Sequence, residues 1–502
     1  MNFSNSLMQN IAMLKEIFKN DDTIKFREFD NKYSKALKYC VIYADGMINK
    51  QMVDEYIIEK LMSTNFEDIK TQQILSPENI LDIIIKKVII VGEGKKSKDI
   101  DETLKDMMYG DTIVLIDGIP ETLVFDTKGW PVRAIAEPPS EKVVRGSREG
   151  FTESIMSNTT LIRRRVRNKD LKFEFMEIGT RTKTKVAVCY IEGLAKEEIL
   201  KELKTRLQNI NIDGVIESQY IDEYIKDAPL SLFKTIGNTE SPDVVSGKLL
   251  EGRIAVLCDG TPFVLTLPYI FLEYFQVYED YYNNYIYSSF NRLLRFLAFF
   301  LGVSVPALYI AVTAYHQELI QTSLLLSIYS SRLGIPFPIV VEAIVMLIGF
   351  DILREAGTRL PQPVGQAVSI VGALILGDAA VNARIISAPM VIIVAMTGIS
   401  SFLIPKMIGV FMVVRLILLI LASLLGLYGY MFGVMGLFIY LVSLRSFGVP
   451  YMASMANISN ISSETIRDAA IRVPWWLMNY RPNLIPKDRR RQNKIKGQKG
   501  RS

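Results

Sequence analysis

The sequence predicts an α/β head of two similar subdomains followed by an α-helical polytopic membrane domain of four to six spans plus an interfacial or re-entrant helix. Three observations predict it. Charge is concentrated in residues 1–292, whereas residues 293–447 are nearly all apolar. A strand–helix–hairpin pattern occurs twice in the charged half, about 145 residues apart. Apolar runs in the second half are long enough to cross roughly 30 Å of hydrocarbon as helices.

These breaks divide the 502 residues into a polar N-terminal arm (1–22), a first α/β subdomain (23–140), a second (141–292), a helical transmembrane domain (293–447) and a polar, basic tail (448–502). Met1–Asn20 has no apolar core of signal-peptide length, so the head is expected to stay in the cytoplasm. Cys40, Cys189 and Cys258 form no paired motif and fit reduced thiols. Lys487–Ser502 carries eight Lys/Arg against one Asp, which puts the tail on the cytoplasmic side as well. Head and tail on one side require an even number of spans. A net charge of +5 is too mild to suggest a nucleic-acid partner.

In the head, Tyr39–Leu61 and Val186–Leu207 each read as strand, Gly turn (Gly46, Gly193) and helix. The second pair is clearer. Gly110, Val114, Leu115, Asp117, Gly118, Pro120 and Leu123 recur as Gly252, Val256, Leu257, Asp259, Gly260, Pro262 and Leu265, each set a strand, an Asp-Gly turn and a strand. Between the halves, Arg163, Arg164, Arg165 and Arg167 form a basic run that faces either anionic groups or the neighbouring subdomain. Val91–Ser97 lacks the spacing of a phosphate-binding loop. The sole histidine, His316, rules out a Ser/His/Asp triad and disfavours a zinc site. No catalytic residue, cofactor or metal is therefore expected, and Asp117 and Asp259 read as turn residues.

In the apolar half, Phe296–Tyr315 is a firm span and Ile385–Pro405 a second, both free of Asp, Glu, Lys and Arg. The aromatic tract Phe271–Tyr287 before them fits either the membrane interface or ordinary head packing. Leu319–Ser331 is too short to span and suits an interfacial or re-entrant helix. Met407–Leu444 holds one charge, Arg415, over about two crossings' length, with the reversal expected near Leu427–Tyr430 and Arg415 snorkelling to the surface. A charge at mid-bilayer costs roughly 2.5–3.5 kcal/mol on insertion scales. Glu342, Asp351, Arg354, Glu355, Arg359, Asp378 and Arg415 are accordingly the candidate charge or gating groups, Glu355 and Arg359 being spaced for a helical ion pair. Gln366, Ser369, Ile370, Ala373, Leu376 and Gly377 recur at helical spacing as a small, weakly polar stripe, either lining a pore or packing helices tightly.

Four stretches carry a family resemblance: GSREGFTESIMSNTTLIRRRVRN (146–168), EIGTRTKTKVAVCYIEGLA (177–195), LEGRIAVLCDGTPFVL (250–265) and FDILREAGTRLPQPVGQAVSIVGALILGDAAV (350–381). The chain resembles the A-subunits of GerA-type spore germination receptors, over about Phe26 to Pro482. The resemblance implies residence in the spore inner membrane and a homo-oligomeric ring acting as a nutrient-gated channel for monovalent cations. It also implies work beside a transporter-like B-subunit that binds the nutrient and a lipoprotein C-subunit. A non-conducting signalling scaffold, a paralogue coupled to dipicolinate release and a secondary transporter are the alternative readings.

Overall fold

The structure, a computed structural model, describes residues 3–34, 37–65, 77–91, 93–129, 141, 145–360, 377–453, 468, 471–478, 481, 485–488 and 490–491. Two five-stranded antiparallel sheets form the head, and the same order of elements builds both. The first unit runs α1 (Leu7–Ile17), β1 (Ile24–Asp30), β2 (Lys38–Ala44), a π turn (Met52–Ile58) leading into α2 (Glu59–Ser63), α3 (Pro77–Ile83), β3 (Gly94–Ser97), α4 (Ile100–Met107), β4 (Asp111–Ile116) and β5 (Thr122–Asp126). The second runs α5 (Ile155–Arg165), β6 (Leu171–Ile178), β7 (Thr184–Ile191), α6 (Glu197–Gln208), α7 (Ser218–Ile225), β8 (Gly237–Thr239), α8 (Pro242–Leu250), β9 (Ile254–Cys258) and β10 (Val264–Leu267). Strand orders match: β1-β2-β4-β5-β3 and β6-β7-β9-β10-β8.

Each sheet is covered by helices on both faces, which explains why its central strands are buried throughout. Alternate residues of β2 separate cleanly. Cys40, Ile42 and Ala44 pack with α1 and α4, whereas Tyr39 and Val41 pack with α2 and α3. The second sheet divides in the same way, Cys189 facing α5 and α8 while Val188 and Tyr190 face α6 and α7.

The Asp-Gly turns have a second role. Asp117 Oδ1 accepts the Leu7 amide at 3.0 Å and Asp259 Oδ1 accepts the Ile155 amide at 3.0 Å, so each turn caps the first helix of its own unit. Gly118 and Gly260, with φ of 82° and 88°, donate to Asn5 O and Glu153 O. Asn10 and Asn158 lock the same two caps by bonding Ser4 and Thr152. Residues 3–22 are therefore not a separate arm: α1 buries Leu7, Ile11 and Leu14 in the first unit, as the counterpart of α5.

The helical body leaves the second unit through two short 3₁₀ helices, Phe271–Tyr274 and Tyr278–Tyr281, and enters α9 (Tyr285–Ile310), which continues as a π turn to Tyr315. The first part of the aromatic tract is packed, whereas Tyr285 and Tyr287 at its end are exposed. Phe271, Tyr274 and Phe275 are buried against Phe296, Phe299, Phe411 and Tyr451. Next come α10 (Thr322–Arg332), α11 (Ile339–Arg359), a helical stretch at 377–382, α12 (Ala388–Phe402) and α13 (Ile408–Ser443). Among the described residues, Tyr285–Tyr315 and Pro405–Ser443 are long and apolar enough to cross a membrane. The expected 21-residue span at Ile385–Pro405 is shorter as a helix. Ser387 starts α12 and Leu403 ends it before Pro405, leaving 15 residues, about 22 Å.

α13 is a hairpin. Gly426 has φ 60° and ψ −137°, a conformation open only to glycine. Beyond it the chain folds back, so that Leu418 and Leu421 fill the space a side chain at Gly433 would need. The reversal lies one residue before the expected Leu427–Tyr430. After Ser443 the chain returns to the head as a small hairpin, β11 (Arg445–Ser446) and β12 (Val449–Pro450). Phe447, Val449 and Ala453 enter the core of the second unit, and Tyr451 and Met452 enter that of the neck. The segment assigned to a polar tail thus begins as core.

Replacing Gly426 with Ala should destabilise the protein by about 1–3 kcal/mol, the cost of a strained non-glycine backbone. Gly436→Ala, facing open space, should be near neutral. Thermal unfolding in detergent compares the two, and equal effects would contradict the hairpin.

Candidate functional site: buried ion pairs of the body and neck

Charge inside an apolar bundle must be partnered. Glu342, on α11, is 1% exposed. Its carboxylate pairs with Arg332 Nη2 at 3.0 Å and accepts the Ser387 amide at 2.9 Å and the Ser387 hydroxyl at 2.8 Å. Glu342 thus caps the N-terminus of α12 from a neighbouring helix, where a negative charge meets the helix dipole favourably. One turn of α10, the start of α11 and the start of α12 are tied at one carboxylate.

A second group lies further along α11. Asp351 bridges Arg354 at 3.1 Å and Arg415 at 2.7 Å, the latter 64 residues away on the first arm of α13. Arg415 is therefore buried and paired, not snorkelling. The reason is geometric: α11 brings a carboxylate within reach, and a paired charge need not extend to water. Arg354 also reaches Met412 Sδ at 3.0 Å. Glu355 and Arg359 form the expected i,i+4 pair at 2.7 Å, on an exposed face. Asp378 is exposed. Gln366, Ser369, Ile370, Ala373 and Leu376 lie outside the described residues. Gly377 is half-buried, and a side chain there would meet Val391 of α12 at 3.6 Å.

The neck holds a third group that sequence reasoning passed over. Asp280, 2% exposed, pairs with Arg292 at 3.1 Å and Arg295 at 2.7 Å, both on α9. Arg292 is fully buried and also bonds Asp468 of the C-terminal region at 3.0 Å. Tyr281 donates to the same Asp468 at 3.1 Å. Just above, Glu273 pairs with Arg253 at 2.6 Å and Lys248 at 3.0 Å. Burial alone would raise the Glu273 carboxyl, but Arg253, Lys248 and the Ile270 amide outweigh it and hold that carboxyl below its usual range. The signal in the sequence was two arginines, i and i+3, opening an apolar helix after an Asp among tyrosines.

Arg163, in the basic run of α5, belongs to the interface between the head units. Arg163, 1% exposed, bonds Asp21 at 2.8 Å and Thr23 at 2.6 Å and lies 5.0 Å from the Phe173 ring. Arg164 and Arg165 pair with Glu149. Arg163 therefore welds one unit to the other, and its charge is not free for an anionic ligand. Among the described residues no cluster of His, Cys, Asp and Glu could hold a metal ion.

Removing one member of a buried pair costs about 3–5 kcal/mol, whereas replacing both with apolar groups costs far less. Asp351→Leu leaves two buried arginines and should be the most destabilising change in this group. Arg415→Leu should cost less, because Arg354 keeps Asp351 paired. The double variant Asp351→Leu/Arg415→Leu should be more stable than Asp351→Leu alone. Denaturation of the four proteins in detergent gives the coupling, and additive effects would show the pair carries none.

Comparison with known proteins places this architecture. Residues 12–484 match the family described as Bacillus/Clostridium GerA spore germination protein. Spore germination protein KA of Bacillus subtilis (strain 168) is 42% identical over 494 residues, 98% of this chain and 89% of that protein. Spore germination protein B1 of the same organism is 35% identical over 496 residues, 98% of this chain and 100% of that protein. Spore germination protein GerLA of Bacillus cereus is 33% identical over 468 residues, 93% of this chain and 92% of that protein. The crystal structure of the N-terminal domain of the A subunit of the Bacillus megaterium spore germinant receptor GerK3 is 34% identical, with a TM-score of 0.43, covering 54% of this chain and 98% of that one. The chain belongs to the GerA family of spore germination proteins.

Proposed function

We propose that this protein is the A-subunit of a nutrient germinant receptor in the spore inner membrane, and that it assembles as a homo-oligomeric ring whose helical body forms a nutrient-gated path for monovalent cations. Its partners are a transporter-like B-subunit that binds the nutrient, a lipoprotein C-subunit and the surrounding lipid. Head and tail lie together on the cytoplasmic, spore-core side, with four to six crossings between them.

One observation carries the reading: the helical body is anchored to the second head unit at both ends. α9 leaves through the Asp280–Arg292–Arg295 cluster, and α13 returns where Ser446 Oγ donates to Thr235 O at 2.5 Å and accepts the Tyr269 amide at 3.0 Å. Both ends meeting one unit supports an even number of crossings. It also supports mechanical coupling, because a rotation of that unit must displace α9 and α13 together. Lys487 pairs with Glu197 and Arg491 with Glu251, which supports a tail on the head's side of the membrane.

The conducting element is the stripe Gln366, Ser369, Ile370, Ala373, Leu376 and Gly377. Small and weakly polar residues let helices from several copies approach closely around water. Glu342, Asp351, Arg354 and Arg415 are structural clasps in this reading, since each is consumed by an ion pair. That same pairing favours the second reading, a scaffold that relays nutrient binding without conducting. No step of either reading calls for catalysis.

Ion flux separates the two. Liposomes carrying the protein with its B- and C-type partners should release potassium or sodium when a candidate nutrient is added. Ala373→Trp should cut the release severalfold while the complex stays assembled. Unchanged flux in the assembled Ala373→Trp complex would remove the stripe as the pore, and a tight membrane under every nutrient would favour the scaffold.

A further inference from the structure

The turn Ala228–Phe233, between α7 and β8, has an unusual exposure pattern. Ala228 and Phe233 point inward, the latter with its ring 6.2 Å from Tyr440 on the returning arm of α13. Leu230 and Leu232 point outward and are 98% and 46% exposed. The turn is held rigid by Ser231 N donating to Ala228 O at 3.0 Å and Phe233 N donating to Ser231 Oγ at 3.1 Å, so the leucines are presented rather than left loose. α7, just before it, exposes Tyr220 and Tyr224 one turn apart.

Its position says what covers it. Asp227 accepts the Phe447 amide, immediately after α13 ends, so the turn sits at the level where the hairpin leaves the apolar region. The arm exposes Ile439, Tyr440 and Val442, and the Phe233–Tyr440 contact sets it beside the turn that carries Leu230 and Leu232. Lys234 and Arg445, both exposed, stand next in sequence to Phe233 and Leu444. Apolar side chains at the boundary of a span, with basic groups beside them, match the acyl–headgroup zone of a bilayer with anionic lipid.

We propose that the Leu230–Leu232 turn is a bilayer wedge: the second head unit rests on the membrane and inserts these two leucines at the interface, beside the exit of α13. This rests on the reading that α9 and the α13 hairpin cross a bilayer. It gives the head a third point of attachment, made to lipid rather than to the chain. The tilt of the second unit, and through it the position of α9 and α13, then depends on lipid packing as well as on partner subunits.

The test uses the full chain in phosphatidylethanolamine–phosphatidylglycerol vesicles. The native Cys40, Cys189 and Cys258 are buried, so single cysteines at exposed sites can carry a nitroxide label. Leu230→Cys and Leu232→Cys are compared with Ile439→Cys on the arm and Tyr33→Cys on the first unit, all exposed positions. The readout is collision with oxygen, which concentrates in lipid, against collision with a water-soluble nickel chelate. The expected oxygen-to-nickel ratio at 230 and 232 is severalfold above that at 33 and close to that at 439. A ratio at 230 and 232 equal to that at 33, with 439 in lipid, overturns the wedge and leaves the membrane reading standing. Labels at 230 and 232 shielded from both agents mean a second protein copy covers the turn, which also overturns it. A water-like ratio at 439 sinks the membrane reading and the wedge with it.

Discussion

Asp280 holds the two arginines that open the first long apolar helix, and the rest of the molecule is arranged around that contact. Arg292 has no exposed surface, and a guanidinium without a partner there would carry a desolvation cost of several kcal/mol. Asp280 and Asp468 pair with Arg292 and Arg295, which lets the Arg292 guanidinium be buried. The aromatic packing of Phe271 and Phe275 against Phe296 and Phe299 then closes over it. The apolar core runs without a break from the neck into the bundle, through Val303, Ala307, Phe411 and Leu418. A head on a flexible stalk would show neither feature.

The two head units share a fold and differ in what they touch. Capping is the same in both: Asp117 and Asp259, Asn10 and Asn158 make equivalent bonds. The interfaces are not. Arg163 on α5 is buried against the first unit, whereas Lys15 on α1 makes an exposed pair with Glu28. The neck and the returning end of α13 attach to the second unit. The first unit reaches the body through the second, by way of Arg163, Thr160 and Lys172. Two units with the same internal caps and different outer contacts leave the anchoring of the body to the second.

Much of this was legible in the residues. The Asp-Gly hairpins mark the repeat because a positive-φ glycine is a local requirement, and the 36-residue length of α13 with a glycine cluster at its middle implies a reversal. What was hidden depends on distance in space. Nothing near Arg415 in sequence announces Asp351, 64 residues away, so snorkelling was the natural expectation. Glu342 is a candidate charge or gating group by sequence, and nothing near it announces Ser387, 45 residues away, whose helix it caps. The polar, Asn-rich start of the chain reads as either a loose arm or a first helix; Leu7, Ile11 and Leu14, at helical spacing, make it the helix α1.

The second head unit and the ends of α9 and α13 form one rigid body. Hydrogen exchange of the full-length protein in a bilayer tests it most directly, read by mass over 269–281 and 446–451 against the central strand β9. Both neck segments should be protected comparably to β9, with selective loss there, and β4 unchanged, in Asp280→Asn. Neck amides that exchange as fast as an exposed loop in the unaltered protein would show the opposite, and the head would then be a tethered domain with no mechanical hold on the apolar helices.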